Sequence, residues 1–549
     1  MDEPLPSSVD VVVVGTGLGE ALLAAAAARS GLSVLHLDQS SYYGAEWASF
    51  NLRSLDDSQR EPNPSEGVKI EEAETGEKGE EKEDKAEERG KTQRELIEEE
   101  WRRWSVDLTP KVLLARGDLV RTLCDSQVSA YAEFKLVDRL LGVRGEIFDT
   151  ELLSMLEKRR LMKFLQLCLQ WHKESSEKAE GGGENEDGGE PVPAKEASSL
   201  EEFADRPFSA FLTAQGIQGR LRDLITRSLS FLTPTSDGDT GRGGENEGPS
   251  TRSSLSALCR FMDSVGTFGP SPFLTPLYGS GELPQCFARL SAVFGGLYCL
   301  GRRIEGVAVR EGRVTAVLAA GQRVACTHLL TTAAFVPREW REEEGHGART
   351  QRAILLARGS IAPSTEREHI SLVNLGGLAA STSPAGNGGR FFEGGWEACL
   401  APKGYYLGQF TAGTSDAGSA LLDDVISRFY RTYKVEGAPE VSDTRPTLLR
   451  RIQFEMEKGI VPLAPSAPSN VGVVRLPDAT ADYDDVMREV KDLFARFWPD
   501  HDFLPRSLRK EETEEEAPFD AREEDEATDT VAKGPDTVPE DTPETKADN

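Results

Sequence analysis

Apolar residues near the start of the chain follow the spacing of a strand, then a helix, then a second strand. Val11–Val14 is a run of β-branched residues, Glu20–Arg29 is rich in Ala and Leu, and Ser33–Leu37 alternates between polar and apolar positions. Continuous β-branched runs are typical of buried strands, and Ala- and Leu-rich stretches favour helix. The pattern predicts a β-α-β unit, which opens a doubly wound α/β sheet.

The middle of the chain has the periodicity of helices. From Thr150 to Trp171, apolar residues recur at every third or fourth position beside a basic patch at Lys158–Arg160 and Lys163. Further helical patterns cover Leu200–Gln215 and Arg220–Phe231. Together they predict a small all-helical domain inserted into an α/β body.

Short strands return in the later part of the chain. An antiparallel meander is predicted over three segments: Gly306–Arg310, Arg313–Ala319 and Arg323–Leu330. Its turns are placed at Glu311-Gly312 and Gly321-Gln322, and a final helix at Asp484–Trp498. The expected fold class is α/β: a Rossmann-like domain of the FAD/NAD(P)-binding type with an antiparallel β layer and the helical insertion.

Four stretches are poor in apolar residues: Asp56–Gln93, Lys173–Ser199, Thr235–Thr251 and the tail from Lys510. Such segments bury too little apolar surface to offset roughly 1 to 2 kcal/mol of backbone entropy per residue, so we predict that they are disordered. The predicted domains are residues 1–150 and 235–509 for the two parts of the Rossmann-like domain, 151–234 for the helical domain and 510–549 for a disordered acidic tail.

The charge and the cysteines exclude several classes of protein. The formal net charge is −30, and Lys510–Asn549 carries 16 Asp/Glu against 4 Lys/Arg. A deficit of cations argues against binding nucleic acid. The seven cysteines are dispersed, without a C-x-x-C pair, so we predict reduced thiols and no metal site.

The amino terminus lacks the basic flank of a secretory signal and the carboxyl terminus offers no prenylation cysteine, so a cytoplasmic protein is expected.

The loop Gly15–Glu20 reads GTGLGE and holds the first two glycines of a dinucleotide-binding G-x-G-x-x-G pattern. The third glycine of that pattern lets the helix pack close to the strand, and the second lets the backbone approach a pyrophosphate. Glu20 stands at the third position, where its bulk and charge oppose a bound dinucleotide, although an acidic residue also suits the first turn of a helix. Asp38 lies where a ribose-binding acid would. We therefore predict the fold without a bound cofactor.

Several blocks resemble the Rab GDP-dissociation inhibitor superfamily and, more closely, its Rab escort proteins. These blocks are Asp10–Leu18, Val34–Asp38, Ser41–Gly44, Trp47–Phe50, Val106–Gly117, Tyr131–Lys135, Glu157–Leu165 and Leu277–Arg289, in the family's order. The family is similar to flavoproteins in fold and uses no flavin. Around Asp478–Asp484 the family usually has a glycine-rich stretch that this chain lacks.

The resemblance implies two kinds of contact residue. Tyr43, Glu282 and Arg289 fall on the platform that grips the Rab switch regions, although Glu282 and Arg289 read by themselves as a structural charge pair. Phe164 lies on the helix that in escort proteins contacts the transferase, although it reads by itself as a buried core residue. The family's prenyl-accepting groove lies in the helical domain, and apolar candidates for it are Met162, Phe164, Leu165, Leu167 and Leu169.

The expected function is that of a non-catalytic escort protein. Such a protein binds GDP-bound, unprenylated Rab GTPases, presents them to the α/β heterodimer of Rab geranylgeranyltransferase and carries the geranylgeranyl product to membranes through a transient contact. The alternatives are a dissociation inhibitor that recycles prenylated Rab and, from another class, an FAD-dependent oxidoreductase.

Overall fold

A computed structural model describes residues 4–58, 97, 99–142, 145–146, 154–179, 202–229, 250–342, 349–364, 367–375, 389–413, 416–431 and 444–506. The predictions of disorder for 59–93, 180–199, 235–249 and 510–549 lie outside the described residues. Within them, the helices are α1 Leu18–Arg29, α2 Leu52–Ser58, α3 Asp118–Asp125, α4 Met155–Ala179, α5 Phe208–Ala214, α6 Gly219–Leu229, α7 Thr251–Ser264, α8 Glu282–Val293, α9 Asp416–Phe429 and α10 Asp484–Phe497.

The described strands form two large and two small sheets. They are β1 Ser8–Val14, β2 Val34–Leu37, β3 Ser49–Phe50, β4 Val106–Asp107, β5 Leu113–Leu114, β6 Phe134–Leu136, β7 Arg139–Gly142, β8 Gly145–Glu146, β9 Phe273–Pro276, β10 Leu297–Cys299, β11 Ile304–Arg310, β12 Arg313–Ala319, β13 Gln322–Thr332, β14 Arg349–Arg358, β15 Ser371–Asn374, β16 Arg390–Gly394, β17 Tyr405–Gly413, β18 Thr447–Glu457 and β19 Val471–Val474.

The first large sheet has the order β10-β2-β1-β13-β12-β11, with β19 also paired to β13. Strand β1 is parallel to β2 and β13, and β19 is parallel to β13. The predicted β-α-β unit is therefore present, and α1 is buried over its whole length from Leu18 to Ala28 because it packs against α8 and α10. Small Ala side chains permit this close packing of three helices on the sheet.

The predicted meander is present as β11, β12 and β13. Its first turn is Glu311-Gly312, as predicted, with positive φ at both residues. The second turn is Ala320-Gly321, one residue earlier than predicted. Two-residue hairpin turns of this type need positive φ at both central positions, and Gly at the second position meets that need at low cost.

The second large sheet has the order β18-β14-β17-β16-β15-β7-β8 and is antiparallel except where β15 meets β7. It is the predicted antiparallel β layer. One apolar cluster lies between this sheet and the segments that follow β2, and it includes Trp104, Phe273, Ile354 and Leu407.

The helical region has a core of its own in which α4, α5, α6 and α7 share apolar contacts. Helix α4 begins at Met155 rather than Thr150 because Ser154 and Glu157 form a capping box: each side chain accepts a hydrogen bond from the other residue's backbone N–H. It also continues to Ala179, so the prediction of a disordered loop from Lys173 was wrong over 173–179. Helix α7 joins this core from the part of the chain that we had assigned to the Rossmann-like domain.

Candidate partner-binding site

The three residues predicted to bind Rab line one pocket of about 390 Å³. Tyr43 comes from the loop after β2, and Glu282 and Arg289 lie seven residues apart on α8, so both face the same side of that helix. We call this the platform pocket and define it by Tyr43, Tyr131, Glu282, Arg289 and Tyr298. No ion pair among the described residues joins Glu282 to Arg289, and the raised pKa of Glu282 is caused by burial, which disfavours the alternative of a structural charge pair.

Aromatic side chains hold the charged residues of the platform pocket in place. The Arg289 guanidinium lies 4.3 Å from the centroid of the Tyr131 ring, and the rings of Tyr43 and Tyr298 lie 6.0 Å apart. Burial raises the pKa of Glu282 and of Tyr43. Arg289 remains exposed and Tyr43 is half-buried. The pocket thus combines a cation, a carboxyl group and phenol groups, and two of its residue types, Arg and Tyr, are enriched among the residues that dominate binding energy at interfaces.

The phosphate loop is filled by side chains of the protein itself. A Cβ atom placed on Gly17 would lie 2.6 Å from Glu20 Oε2 and 3.1 Å from Trp47 Cδ1, and one on Gly15 would lie 3.7 Å from Glu20 Oε1. The Glu20 carboxyl group therefore covers the loop where a pyrophosphate would bind, and Trp47 closes the remaining side. These residues do not fit a dinucleotide.

Two details of this loop differ from the prediction. The close helix packing that we assigned to the position of Glu20 occurs at Gly19, where a Cβ atom would lie 2.4 Å from Val474 Cγ1. Asp38 follows β2 directly, as predicted, but its buried carboxylate is engaged within the loop, where it accepts a hydrogen bond of 2.7 Å from Thr16 Oγ1. His36 contacts the Gly15 carbonyl oxygen from below. The loop is braced by its neighbours without a ligand.

Glu20 makes folding stability depend on pH. Burial raises the pKa of its carboxyl group from 4.5 to about 8. A carboxyl group whose pKa is raised by folding stabilises the protein most below its unfolded pKa, and this contribution is lost as the pH rises through the folded pKa. We expect Glu20→Gln to gain about 2 to 4 kcal/mol over the wild type at pH 9 and little at pH 5. Urea unfolding at both pH values measures this, with the exposed Glu311→Gln as control. An equal difference at the two pH values would contradict it.

A buried ionic network occupies the region between β19 and α10. Lys111 Nζ lies 2.7 Å from Asp478 Oδ1, and Arg475 Nη1 lies 2.8 Å from Asp478 Oδ2. Burial favours the neutral acid, but Lys111 and Arg475 hold the pKa of Asp478 well below its usual range. Arg260 of α7 reaches Asp484 at 2.6 Å, which ties the helical region to the same segment. We did not predict this network, because Lys111 and Asp478 are far apart in the sequence.

The predicted transferase contact, Phe164, is buried in the helical core. Its side chain is 4% exposed and its ring lies 6.3 Å from that of Phe211. Phe164 therefore has no free surface to offer a partner in this structure, in agreement with the alternative of a core residue. Of the groove candidates, Leu167 is also buried, whereas Met162 and Leu169 are exposed on the opposite face of α4.

Within the described part of the chain, no helix has the length and apolar character needed to cross a membrane. The same residues contain no group of three or more His, Cys, Asp or Glu side chains placed to hold a metal ion. The seven cysteines form no disulfide, and Cys168, Cys259, Cys286 and Cys326 are buried.

Comparisons with known proteins agree with the fold. The family model "GDP dissociation inhibitor" matches residues 1–72, 84–186 and 247–373, and "RAE1/2 domain I, C-terminal region" matches 350–479. The crystal structure of a Rab GDI from Plasmodium falciparum is similar with a TM-score of 0.61 at 18% identity, covering 90% of this chain and 99% of that chain.

Two curated relatives are similar over almost their whole length. Rab proteins geranylgeranyltransferase component A 1 of Caenorhabditis elegans is 38% identical, with 93% of this chain and 97% of the relative covered. The Drosophila melanogaster component A is 30% identical, with 93% of both covered.

The fold and the site together define a protein of the GDP dissociation inhibitor superfamily, with a flavoprotein-like architecture and a filled phosphate loop. Within it, the chain belongs to the family of Rab geranylgeranyltransferase component A proteins, the Rab escort proteins. The predictions of family and fold class are confirmed.

Proposed function

We propose that the chain is a Rab escort protein that binds GDP-bound, unprenylated Rab GTPases and presents them to Rab geranylgeranyltransferase. The convergence of Tyr43, Glu282 and Arg289 in the platform pocket carries the Rab-binding part of this proposal. The names of the curated relatives, which describe components of that transferase, support the escort part. Delivery of the prenylated product through a transient membrane contact, from a cytosolic pool, completes the cycle.

The protein acts without chemistry of its own in this proposal. Glu20 and Trp47 fill the loop that a flavin or nicotinamide cofactor would need. A flavin-dependent oxidoreductase on the same fold is the competing function, and its test is the visible spectrum of the purified protein. A stoichiometric absorbance band at roughly 450 nm would support the oxidoreductase. We expect no such band.

A dissociation inhibitor is the second candidate, because it binds Rab through the same fold. The two functions differ in their preference for the prenyl group. An escort protein must bind unprenylated Rab before transfer, whereas a recycling inhibitor prefers the prenylated form. We expect titration with GDP-bound Rab to give affinities for the two forms that differ by less than about tenfold, or 1.4 kcal/mol. A preference for prenylated Rab by several orders of magnitude would favour the inhibitor.

Helix α4 is our candidate for the contact with the transferase heterodimer. Three apolar side chains of this helix are exposed: Met155 by 71%, Leu156 by 60% and Met162 by 58%. The basic residues Arg159 and Arg160 are exposed beside them. A patch that mixes apolar and Arg side chains is typical of protein interfaces. Phe164 would contribute indirectly, because its buried side chain packs α4 against the helical core and so positions the exposed side of the helix. We assign the geranylgeranyl group to the same helical domain.

We expect Met162→Asp to weaken binding of the transferase by about tenfold or more and to leave binding of Rab unchanged. The substitution places a carboxylate on the apolar part of the exposed face without touching the core. Analytical gel filtration and titration of the ternary complex measure the effect. Ile460→Asp is the matched control, since Ile460 is 52% exposed and lies outside helix α4. Equal transferase affinity for both variants would remove this face from the proposal.

A further inference from the structure

Two large aromatic side chains are exposed beside the platform pocket. Tyr278 is 58% exposed and stands four residues before Glu282, and Trp396 is 47% exposed in the short helical turn Trp396–Ala398. The two segments are in contact, since the Tyr278 backbone N–H donates to the Ala398 carbonyl oxygen at 3.3 Å. We call this surface the aromatic ledge and define it by Tyr278 and Trp396. Trp and Tyr are enriched among the residues that dominate binding energy at interfaces.

The backbone holds the ledge in a strained conformation. Tyr278 has a φ of 64° and Cys399 a φ of 56°, both in the left-handed region that non-glycine residues rarely adopt. Ser105 Oγ donates a hydrogen bond to the Tyr278 carbonyl oxygen. Backbone strain of this kind is concentrated at functional sites, where neighbouring contacts maintain it. Here the backbone conformation orients the ring of Tyr278, which is exposed and is not packed in the core.

Carboxylates surround the ledge. The neighbouring Cys399 thiol is the largest cause that raises the pKa of Tyr278, and nearby charges that include Glu133 and Glu282 raise it further. On the other side, Glu368 Oε2 accepts a hydrogen bond of 3.1 Å from the Trp396 backbone N–H. Lys135 neutralises a fourth acid, Glu397. Within the described part of the chain, Glu133, Glu282 and Glu368 have no ion-pair partner, so the surface around the two rings is acidic.

We propose that the aromatic ledge binds a cationic side chain, Lys or Arg, of the same GTPase that binds at the platform pocket. This inference rests on the proposed Rab-binding function and names a second contact on that surface. A cation over an aromatic face is attracted by the ring, and carboxylates at the edge add to the attraction. The ledge continues directly into α8 through residues 278–282, so one partner covers both sites. An apolar side chain on the partner is the alternative.

The test compares three substitutions of Trp396 in the full chain. Affinity for a recombinant, unprenylated GDP-bound Rab is measured by titration at low and high salt. We expect Trp396→Ala to weaken binding about 5- to 30-fold, Trp396→Phe to retain most of the affinity, and Trp396→Leu to behave like Trp396→Ala. Leucine keeps apolar area but has no ring. The Trp396→Leu variant therefore distinguishes attraction of a cation to the ring from burial of apolar surface. Ile460→Ala is the control for exposed apolar area.

Each outcome decides a different point. The assay is valid if the wild type binds Rab and Arg289→Glu does not. If both Trp396→Ala and Trp396→Leu then bind with wild-type affinity, the aromatic ledge is not a contact, and the platform pocket remains one. If Trp396→Leu alone keeps full affinity, the partner places an apolar side chain on the ledge, and the proposal of a bound cationic side chain is wrong. No binding by the wild type would reject the proposed function and the ledge with it. Thermal unfolding of each variant verifies that the exposed substitutions leave the fold unchanged.

Discussion

Arg289→Glu should weaken the binding of GDP-bound Rab about 30-fold or more without unfolding the protein. Arg289 is exposed at the rim of the platform pocket and stacks on Tyr131, so its side chain is held at the surface and is not part of the core. Reversal of its charge removes an interfacial cation and places a second carboxylate beside Glu282. Loss of a residue that dominates the binding energy of an interface costs about 2 kcal/mol or more, and Arg is enriched among such residues.

The measurement is a fluorescence titration of Rab loaded with a labelled GDP analogue. Arg310→Glu is the matched control, because Arg310 is exposed on the meander, away from the pocket. Unchanged affinity of Arg289→Glu, with Arg310→Glu as reference, would remove Arg289 from the binding surface.

Asp478→Ala should lower the free energy of unfolding by about 3 to 5 kcal/mol. The side chain of Lys111 has no exposed surface, and Asp478 is the carboxylate that compensates its charge at 2.7 Å. Removal of Asp478 takes away the nearest carboxylate and leaves the buried Lys111 ammonium with Thr480 Oγ1 and the Asp482 carbonyl oxygen as hydrogen-bond partners, which is far more costly than the loss of a surface ion pair. Arg475 would keep its second partner, Glu489, at 2.8 Å.

Urea unfolding measures this effect, and two further variants interpret it. Arg488→Ala removes an exposed partner from the pair with Asp485 and should cost less than about 1 kcal/mol. The double variant Lys111→Met with Asp478→Leu removes both charges of this pair and should recover much of the lost stability. A loss for Asp478→Ala as small as that for Arg488→Ala would show that Lys111 finds another partner.

Local patterns predicted the elements of the Rossmann-like domain well. The β-branched run of β1, the Ala-rich α1 and the two-residue turn at Glu311-Gly312 each carry their signal within a few residues. The start of α4 was misplaced although its signal is local, because the capping box formed by Ser154 and Glu157 was overlooked.

The site depended on contacts between distant parts of the chain. Periodicity shows that α4 has an apolar face, but which of Met162 and Phe164 faces the core is decided by α5 and α7. Lys111 and Asp478 are far apart in sequence, so their buried pairing has no local signature. The sequence predicted that Glu20 opposes a bound dinucleotide. It did not predict that its carboxyl group fills the loop together with Trp47, since this follows from the path of the chain after β2.

Reconstituted prenylation tests the central claim most directly. Rab, the geranylgeranyltransferase heterodimer and geranylgeranyl diphosphate are mixed with and without the purified chain, and transfer of the prenyl group to Rab is followed over time. An escort protein should accelerate transfer by at least about tenfold, and Arg289→Glu should abolish most of that gain. Equal rates with and without the chain would contradict the escort function.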